Sequence, residues 1–290
     1  MQGLIIKLIA GDYTVYANNQ TYLCKARGIF RNINMSPVCG DICDFTYDEN
    51  GYGTITKIYP RKNFLIRPPV ANIDVALIIM STIKPNFDAY LVDKLIVQAE
   101  MANIKPIICI SKCEFLDSSL IKLLENYKMA GYEVITFSSH QQININKILE
   151  VISGNKVVLC GQSAVGKSSL INELFKDNLR KVGDFSEKLG RGKHQTREVE
   201  FLKIGNGFIA DTPGFSRLDL NISDTSLARI FKDFNLYAKD CKYNTCLHIH
   251  EPYCKVKEAV EKNLIHPIRY ENYIKLQKEL KEGKTSWRKK

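Results

Sequence analysis

Along the first 66 residues, apolar and polar side chains alternate with a period of two. Leu4–Ile9, Tyr13–Tyr16, Thr21–Ala26, Asp41–Thr46 and Gly53–Ile58 are five such segments, and alternation of this kind predicts half-buried strands. Asn18-Asn19 and Asn50-Gly51 supply turns between them. Five short strands with polar turns suit a small barrel of the OB type. Such barrels often offer an open face to single-stranded or loop nucleic acid; a purely structural β module fits the pattern equally.

Pro60-Arg61-Lys62-Asn63 and Arg67-Pro68-Pro69 predict a stiff, basic linker. After it the period changes. Ile73–Met80 is a continuous apolar run, as in a strand buried on both faces. Phe87–Ala102 has helical spacing, Pro106–Ile110 is a second buried strand, and Leu116–Ala130 is a second helix. Glu133–Phe137 predicts a strand, Ile143–Ile152 a helix and Val157–Cys160 another buried strand. Strands alternating with helices imply a parallel sheet covered on both faces, with ligands at the carboxyl ends of its strands.

The last of these strands runs into Gly161-Gln162-Ser163-Ala164-Val165-Gly166-Lys167-Ser168-Ser169, followed by the amphipathic run Leu170–Phe175. Gly, four residues, then Gly-Lys-Ser between a strand and a helix is the spacing of a P-loop. Glycines let successive N–H groups converge on phosphate oxygens, and the helix start adds its positive dipole end. In that pattern Lys167 reaches the β- and γ-phosphates and the Ser168 hydroxyl joins Mg²⁺. A glycine-rich turn that binds nothing is the competing reading, and it leaves the strand, the Lys-Ser pair and the helix unexplained.

Composition narrows the setting. A length of 290 residues suggests two or three domains. No apolar run is long enough to span a bilayer, and residues 1–7 lack the pattern of a signal peptide, so a cytoplasmic protein is expected. Nine cysteines are scattered unevenly; Cys24, Cys39, Cys43, Cys109, Cys113 and Cys160 fall in or beside predicted strands, where a reduced thiol packs as a small apolar group. A formal charge of +10 favours a polyanionic partner, although a solvated basic surface carries the same charge.

The motifs at the strand ends come in an unusual order. Ser111-Lys112-Cys113-Glu114 follows one buried strand and Ser138-Ser139-His140 the next; only then come the P-loop, Gly190-Arg191-Gly192-Lys193-His194-Gln195-Thr196, and Asp211-Thr212-Pro213-Gly214. Each is unspecific alone, and Asp-Thr-Pro-Gly suits an ordinary turn. Together they resemble the motif set of a GTPase, cyclically rearranged so that the base-reading half precedes the phosphate-binding half. Circular permutation preserves strand neighbours when the original termini lie close together.

With the OB-like segment and a late Cys/His cluster, the whole chain resembles the circularly permuted ribosome small-subunit-dependent GTPase A family. The resemblance implies GTP hydrolysis during maturation of the small ribosomal subunit. It implies an OB-type barrel over residues 1–66, a permuted GTPase domain over 67–218 and a zinc-binding helical domain over 219–290, a multidomain α/β architecture. The implied partners are GTP and GDP, the small subunit and its rRNA, with no membrane and a monomeric protein.

Carried onto this chain, the resemblance assigns Asp211 to Mg²⁺, Gly214 N–H to the γ-phosphate and Thr196 to the switch that closes on Mg²⁺. Phe215 stands where many GTPases have a water-orienting glutamine. His194 is the candidate catalytic residue in its place; a surface histidine or an RNA contact explains it equally. Ser111-Lys112-Cys113-Glu114 departs from the usual Asn/Thr-Lys-x-Asp. Glu114 keeps a carboxylate for guanine N1–H and its 2-amino group but is one methylene longer. Ser111 is shorter than Asn, which puts a contact to the base or to the P-loop at risk. Lys112 would lie along the base, with Cys113, Ser138 and Ser139 lining it.

Cys241, Cys246, His248 and Cys254 read C-x4-C-x-H-x5-C. Three thiolates and an imidazole make a closed tetrahedral site for one structural Zn²⁺; three buried cysteines beside a chance histidine are the alternative. The family spacing favours His248 over the neighbouring His250. Two helices are predicted after it, Val256–Asn263 and Pro267–Leu280. The basic residues Arg269, Lys275, Lys278, Lys281, Lys284, Arg288, Lys289 and Lys290 suit either rRNA phosphates or plain solvation. Two other classes remain open: a nucleotide-gated RNA-binding scaffold with incidental hydrolysis, and a P-loop ATPase or small-molecule kinase.

Overall fold

In a computed structural model, the five alternating segments close on themselves. Residues 1–28, 30, 36–48, 51–66, 69–181, 199–211 and 223–287 are described. The first strands are β1 (Gln2–Ile9), β2 (Asp12–Ala17), β3 (Gln20–Ala26), β4 (Ile42–Tyr47), β5 (Gly53–Ile58), β6 (Phe64–Ile66), β7 (Pro69–Ala71) and β8 (Val75–Ser81). Helix α1 (Ala89–Met101), β9 (Lys105–Ser111), α2 (Ser118–Met129), β10 (Glu133–Thr136), α3 (Ile145–Ile152), β11 (Lys156–Cys160) and α4 (Lys167–Lys181) follow. The chain continues with β12 (Glu200–Ile204), β13 (Gly207–Asp211), α5 (Asp224–Ile230), α6 (Lys232–Ala238), α7 (Lys255–Glu261) and α8 (Pro267–Trp287).

The chain divides into two compact units. One holds Met1–Leu77, Ile145–Cys160 and Lys167–Arg217; the other holds Ile78–Asn144, Gly161–Gly166 and Leu218–Lys290.

In the first unit, β1 pairs antiparallel with both β2 and β4, β2 with β3, and β4 with β5, while β3 meets β5 in parallel. This is a closed five-stranded barrel with no free edge between its strands. The inward positions of the alternation, Ile5, Val15, Cys24, Cys43, Phe45 and Ile55, are buried in one cluster. Each large apolar side chain so buried is worth roughly 1.5–3 kcal/mol. β1 also meets β12 at Lys7 and Glu200, whose side chains pair at 2.9 Å. β12 and β13 form a hairpin, and β13 runs parallel to β11.

The expected stiff linker is instead anchored structure. β6 and β7 pair as a small hairpin. Arg61 grips the fully buried Asp41 through Nε at 2.7 Å and Nη2 at 2.8 Å. Asn63 donates to the Ile73 carbonyl and accepts from its N–H, and Asn72 donates to the Gly40 carbonyl. The prolines and charges that suggest an open linker are read locally, whereas these partners are 10–32 residues away. Arg67 and Pro68 of that stretch, and Asn50 of the predicted turn, lie outside the described residues.

In the second unit, β10, β9 and β8 lie side by side, β10 parallel to β9. β8 is buried at every position, as its unbroken apolar run requires. Asp88 caps α1 by accepting from Leu91 N–H, and Asp117 caps α2 by accepting from Leu120 N–H. The C-terminal helices α5 to α8 share a core of Leu227, Phe231, Phe234, Val256, Ile265, Tyr273 and Leu276, joined by Val97 of α1. Among the described residues, no helix is long and apolar enough to cross a membrane.

Candidate functional site

β11 ends at Cys160, the loop Gly161–Gly166 follows, and Lys167 opens α4. Two glycines shape that loop. Gly161 has φ +130, and a Cβ there would lie 2.1 Å from the Ile79 carbonyl oxygen. Gly166 has φ +100, a conformation that L side chains rarely adopt. Val165 plugs the loop from below at 1% exposure, while Ser163, Ala164, Ser168 and Ser169 face solvent. Gln162 donates to the Asp88 carboxylate at 3.5 Å. Burial lowers the Lys167 ammonium below the ordinary lysine value, opposed by the nearby Cys160.

Ser111-Lys112-Cys113-Glu114 begins at the end of β9. The Ser111 hydroxyl donates to the Val165 carbonyl at 2.6 Å, and both groups are buried. The serine, expected to be short for a P-loop contact, reaches the loop through this bond, and a Cβ built on Gly166 would lie 3.6 Å from the Ser111 side chain, in ordinary contact. Lys112 is left-handed, with φ 55 and ψ 44, and opens the short 3₁₀ turn Cys113–Phe115. Its ammonium donates to the carbonyls of Ile83 and Lys84 at 2.7 and 2.8 Å. Cys113 N–H donates to the Phe137 carbonyl, which brings the motif beside Ser138 and Ser139. Ser138 is buried, exchanges backbone hydrogen bonds with Ile143 and accepts from Gln141 N–H. Burial and the adjacent Glu114 carboxylate push the Cys113 thiol up. Glu114 itself is exposed.

Gly190 to Thr196, with His194, and Thr212 to Leu218, with Gly214 and Phe215, lie outside the described residues. So does the Asp211 side chain, although β13 ends at that residue.

The predicted metal ligands converge. One ligand atom each from Cys241, Cys246, His248 and Cys254 lies within 4.8 Å of the others. Cys241 Sγ is 4.0 Å from Cys254 Sγ and 3.8 Å from His248 Nδ1, which is 3.4 Å from Cys254 Sγ. Tetrahedral Zn²⁺ with bonds of 2.0–2.3 Å has ligand–ligand edges of roughly 3.3–3.8 Å; the donor set fits, His248 Nδ1 lies within that range of Cys254 and Cys241, and the Cys241–Cys254 separation is slightly longer. His248 is buried at 3% while His250 is exposed. Burial lowers the His248 pKa, keeping the imidazole neutral and able to donate a lone pair to metal. Around it, the Glu251 carboxylate accepts from the N–H groups of Leu247, Ile249 and His250. Tyr270 and Tyr273 donate their hydroxyls to the carbonyls of His248 and Leu247.

Against known proteins, residues 58–221 match the family described as RsgA GTPase, and residues 2–55 match the RsgA N-terminal domain. The chain belongs to the RsgA GTPase family. The small ribosomal subunit biogenesis GTPase RsgA of Clostridium acetobutylicum is 45% identical over 276 residues, 94% of this chain and 96% of that protein. The protein of the same name from Geobacillus sp. (strain WCH70) is 41% identical over 98% of each chain. Two solved structures share the fold: YloQ, described as a circularly permuted GTPase (TM-score 0.82, 33% identity, covering 97% of this chain and 95% of that one), and YjeQ from Thermotoga maritima (TM-score 0.83, 33% identity, 96% and 98%). The multidomain architecture expected from motif order is therefore the architecture of the family: barrel, permuted GTPase fold and a C-terminal Cys/His cluster.

One feature of this chain escapes sequence reading. Arg269, grouped above with the basic surface residues, is 1% exposed. It forks onto Asp233 through Nε at 3.0 Å and Nη2 at 2.7 Å, and its Nη1 binds Asp93 of α1. Tyr127, Tyr132 and Phe231 stack their rings around the guanidinium. Tyr127 and Asn272 complete the Asp93 carboxylate. Two buried carboxylates share one cation. Burial, aided by Asp233 and opposed by Arg269, raises the Asp93 pKa to about 6. A raised carboxyl contributes stability that is complete below its unfolded value and is lost as pH rises through about 6. Carboxyl carbon NMR is expected to place the Asp93 midpoint near that value; a midpoint at the ordinary aspartate value of about 3.9 would contradict it.

Proposed function

We propose that this chain hydrolyses GTP to GDP and phosphate during biogenesis of the small ribosomal subunit, which it binds together with rRNA. The observation that carries the reading is the 2.6 Å bond from Ser111 to the Val165 carbonyl, which joins a base-reading motif to a phosphate loop of P-loop sequence. The naming of the relatives as small ribosomal subunit biogenesis GTPases supports the partner.

In this reading the N–H groups of Gly161 to Gly166 cradle the phosphates and Lys167 sits against the β- and γ-phosphates. Glu114 accepts from guanine N1–H and the 2-amino group, a pattern adenine does not offer. Lys112 flanks the base, and Cys113, Ser138 and Ser139 line it. Ser168, Thr196 and Asp211 hold Mg²⁺, Gly214 reads the γ-phosphate and His194 orients the attacking water. Mg²⁺, when bound, neutralises charge on the phosphate oxygens. Cys241, Cys246, His248 and Cys254 hold one Zn²⁺ in a structural role, since a closed four-ligand site leaves no place for substrate. The functional divisions are residues 1–66, 67–218 and 219–290, in a monomeric cytoplasmic protein.

Hydrolysis of GTP and of ATP, each with and without small subunits, tests this. GTP turnover that rises with subunits, and falls as salt screens the rRNA contacts, is the expected result. Lys167→Ala is expected to weaken GDP binding by roughly a hundredfold, the scale of losing a charged contact to a polyanion in a dehydrated site. Equal affinity for GDP and ADP removes the guanine assignment. Turnover indifferent to subunits leaves an RNA-binding scaffold with incidental hydrolysis.

A further inference from the structure

The base-reading lysine is held at both ends by a loop that no motif marks. Its backbone is left-handed, a conformation that costs an L residue roughly 1–2 kcal/mol, so something must hold it there. The Thr82 hydroxyl donates to the Lys112 carbonyl at 2.9 Å, and Thr82 N–H donates to the Ser111 carbonyl at 3.3 Å. At the far end of the side chain, the Lys112 ammonium donates to the Ile83 and Lys84 carbonyls. The Ser81 hydroxyl fastens that same Ile83 carbonyl at 2.6 Å. Ser81 and Thr82 are both buried. The segment Ser81–Lys84 thus grips the backbone and the ammonium of one residue, with the Ser111 contact to the phosphate loop on one side and Glu114 two residues along on the other.

We propose that Thr82 is a positioning residue for guanine recognition. Its hydroxyl fixes the turn of the chain at Lys112, and that turn sets where the Glu114 carboxylate points. The inference rests on the guanine-nucleotide reading above and extends it to a residue outside the P-loop and the base motif. Removing the hydroxyl leaves the Lys112 carbonyl without that donor and lets the left-handed turn relax. Glu114 then loses its alignment with N1–H and the 2-amino group, while the phosphate loop is untouched.

The test is binding of GDP and of inosine diphosphate, which lacks the 2-amino group, to wild type, Thr82→Val and Thr82→Ser. Thr82→Val is expected to weaken GDP about tenfold, the scale of one buried hydrogen bond left unmade. It is expected to weaken inosine diphosphate less, so the preference for GDP shrinks. Thr82→Ser keeps the hydroxyl and is expected to bind GDP within about threefold of wild type. A packing defect would weaken both nucleotides equally and would not be repaired by serine. Unchanged GDP affinity in Thr82→Val, equal loss for the two nucleotides, or failure of serine to restore binding each overturns the proposal. Thermal melts accompany every variant; if Thr82→Val does not fold, Thr82→Ala against Thr82→Ser makes the same comparison. Wild type that binds neither nucleotide overturns the guanine reading itself, which separates the two failures.

Discussion

Cys246→Ala is expected to release the metal from the C-terminal cluster and unfold the helices around it, leaving GDP binding in place. A structural Zn²⁺ contributes an apparent 10–16 kcal/mol at neutral pH, as much as the whole stability of an ordinary domain, about 5–15 kcal/mol. The energy has a specific purpose here. Leu247 to His250 carry a left-handed residue, His248, and lie on a turn with little regular structure. The turn is held by the Glu251 carboxylate and by the hydroxyls of Tyr270 and Tyr273. Cys246 and Cys254 are themselves part of the apolar core of α5 to α8. Without the ion, burial and neighbouring thiols drive the Cys246 pKa up to about 12, so a neutral thiol takes the place of a thiolate and the cluster loses its attraction. Metal analysis of the purified protein, expected to give one zinc per chain, and circular dichroism of the variant decide the matter. Full metal content in Cys246→Ala, or an unaltered melt, would count against the site.

Arg269→Ala is expected to destabilise the fold by roughly 3–5 kcal/mol, the scale of breaking a buried ion pair from one side. The cost comes mostly from what is left behind. Asp93 and Asp233 are buried carboxylates that share this guanidinium, and neither has another cation among its partners named above. Asp93→Asn is expected to cost less than half as much. Arg269 keeps its fork onto Asp233, and the amide removes the surplus negative charge. Urea unfolding monitored by circular dichroism measures both. The pair of results is diagnostic, since a purely steric role for Arg269 predicts no such asymmetry. In the fold, the triad ties α1 to α6 and to α8, and α8 also carries the hydroxyls of Tyr270 and Tyr273 that steady the turn at the Cys/His cluster. Lys94 and Glu279, paired at 2.9 Å, add a half-exposed contact between α1 and α8; such contacts are worth little by themselves.

The elements legible in the sequence are those whose signal is local. The period-two runs of residues 1–66 became β1 to β5, because a barrel strand must bury one face and solvate the other. The unbroken apolar run of β8 and the helical spacing of α1 and α2 were equally plain. Spacing alone placed a tight loop between β11 and α4, and positive φ at Gly161 and Gly166 excludes most side chains there. It also identified the Cys/His cluster, because four ligands within 14 residues need only one turn to meet. What only the tertiary structure decided depends on partners far along the chain. Arg269 reads as one more cation on a basic helix until Asp93 meets it from 176 residues away. Pro60-Arg61-Lys62-Asn63 reads as part of a linker until Asp41 claims Arg61 and the Ile73 backbone claims Asn63. The reach of Ser111 is too short by residue type and sufficient by geometry, because Val165 comes to it from 54 residues on. In each case the side chain's own chemistry permits both solvent and a buried partner. The choice is made by the desolvation that packing imposes, and a buried polar group that finds no partner costs more than the bond itself is worth.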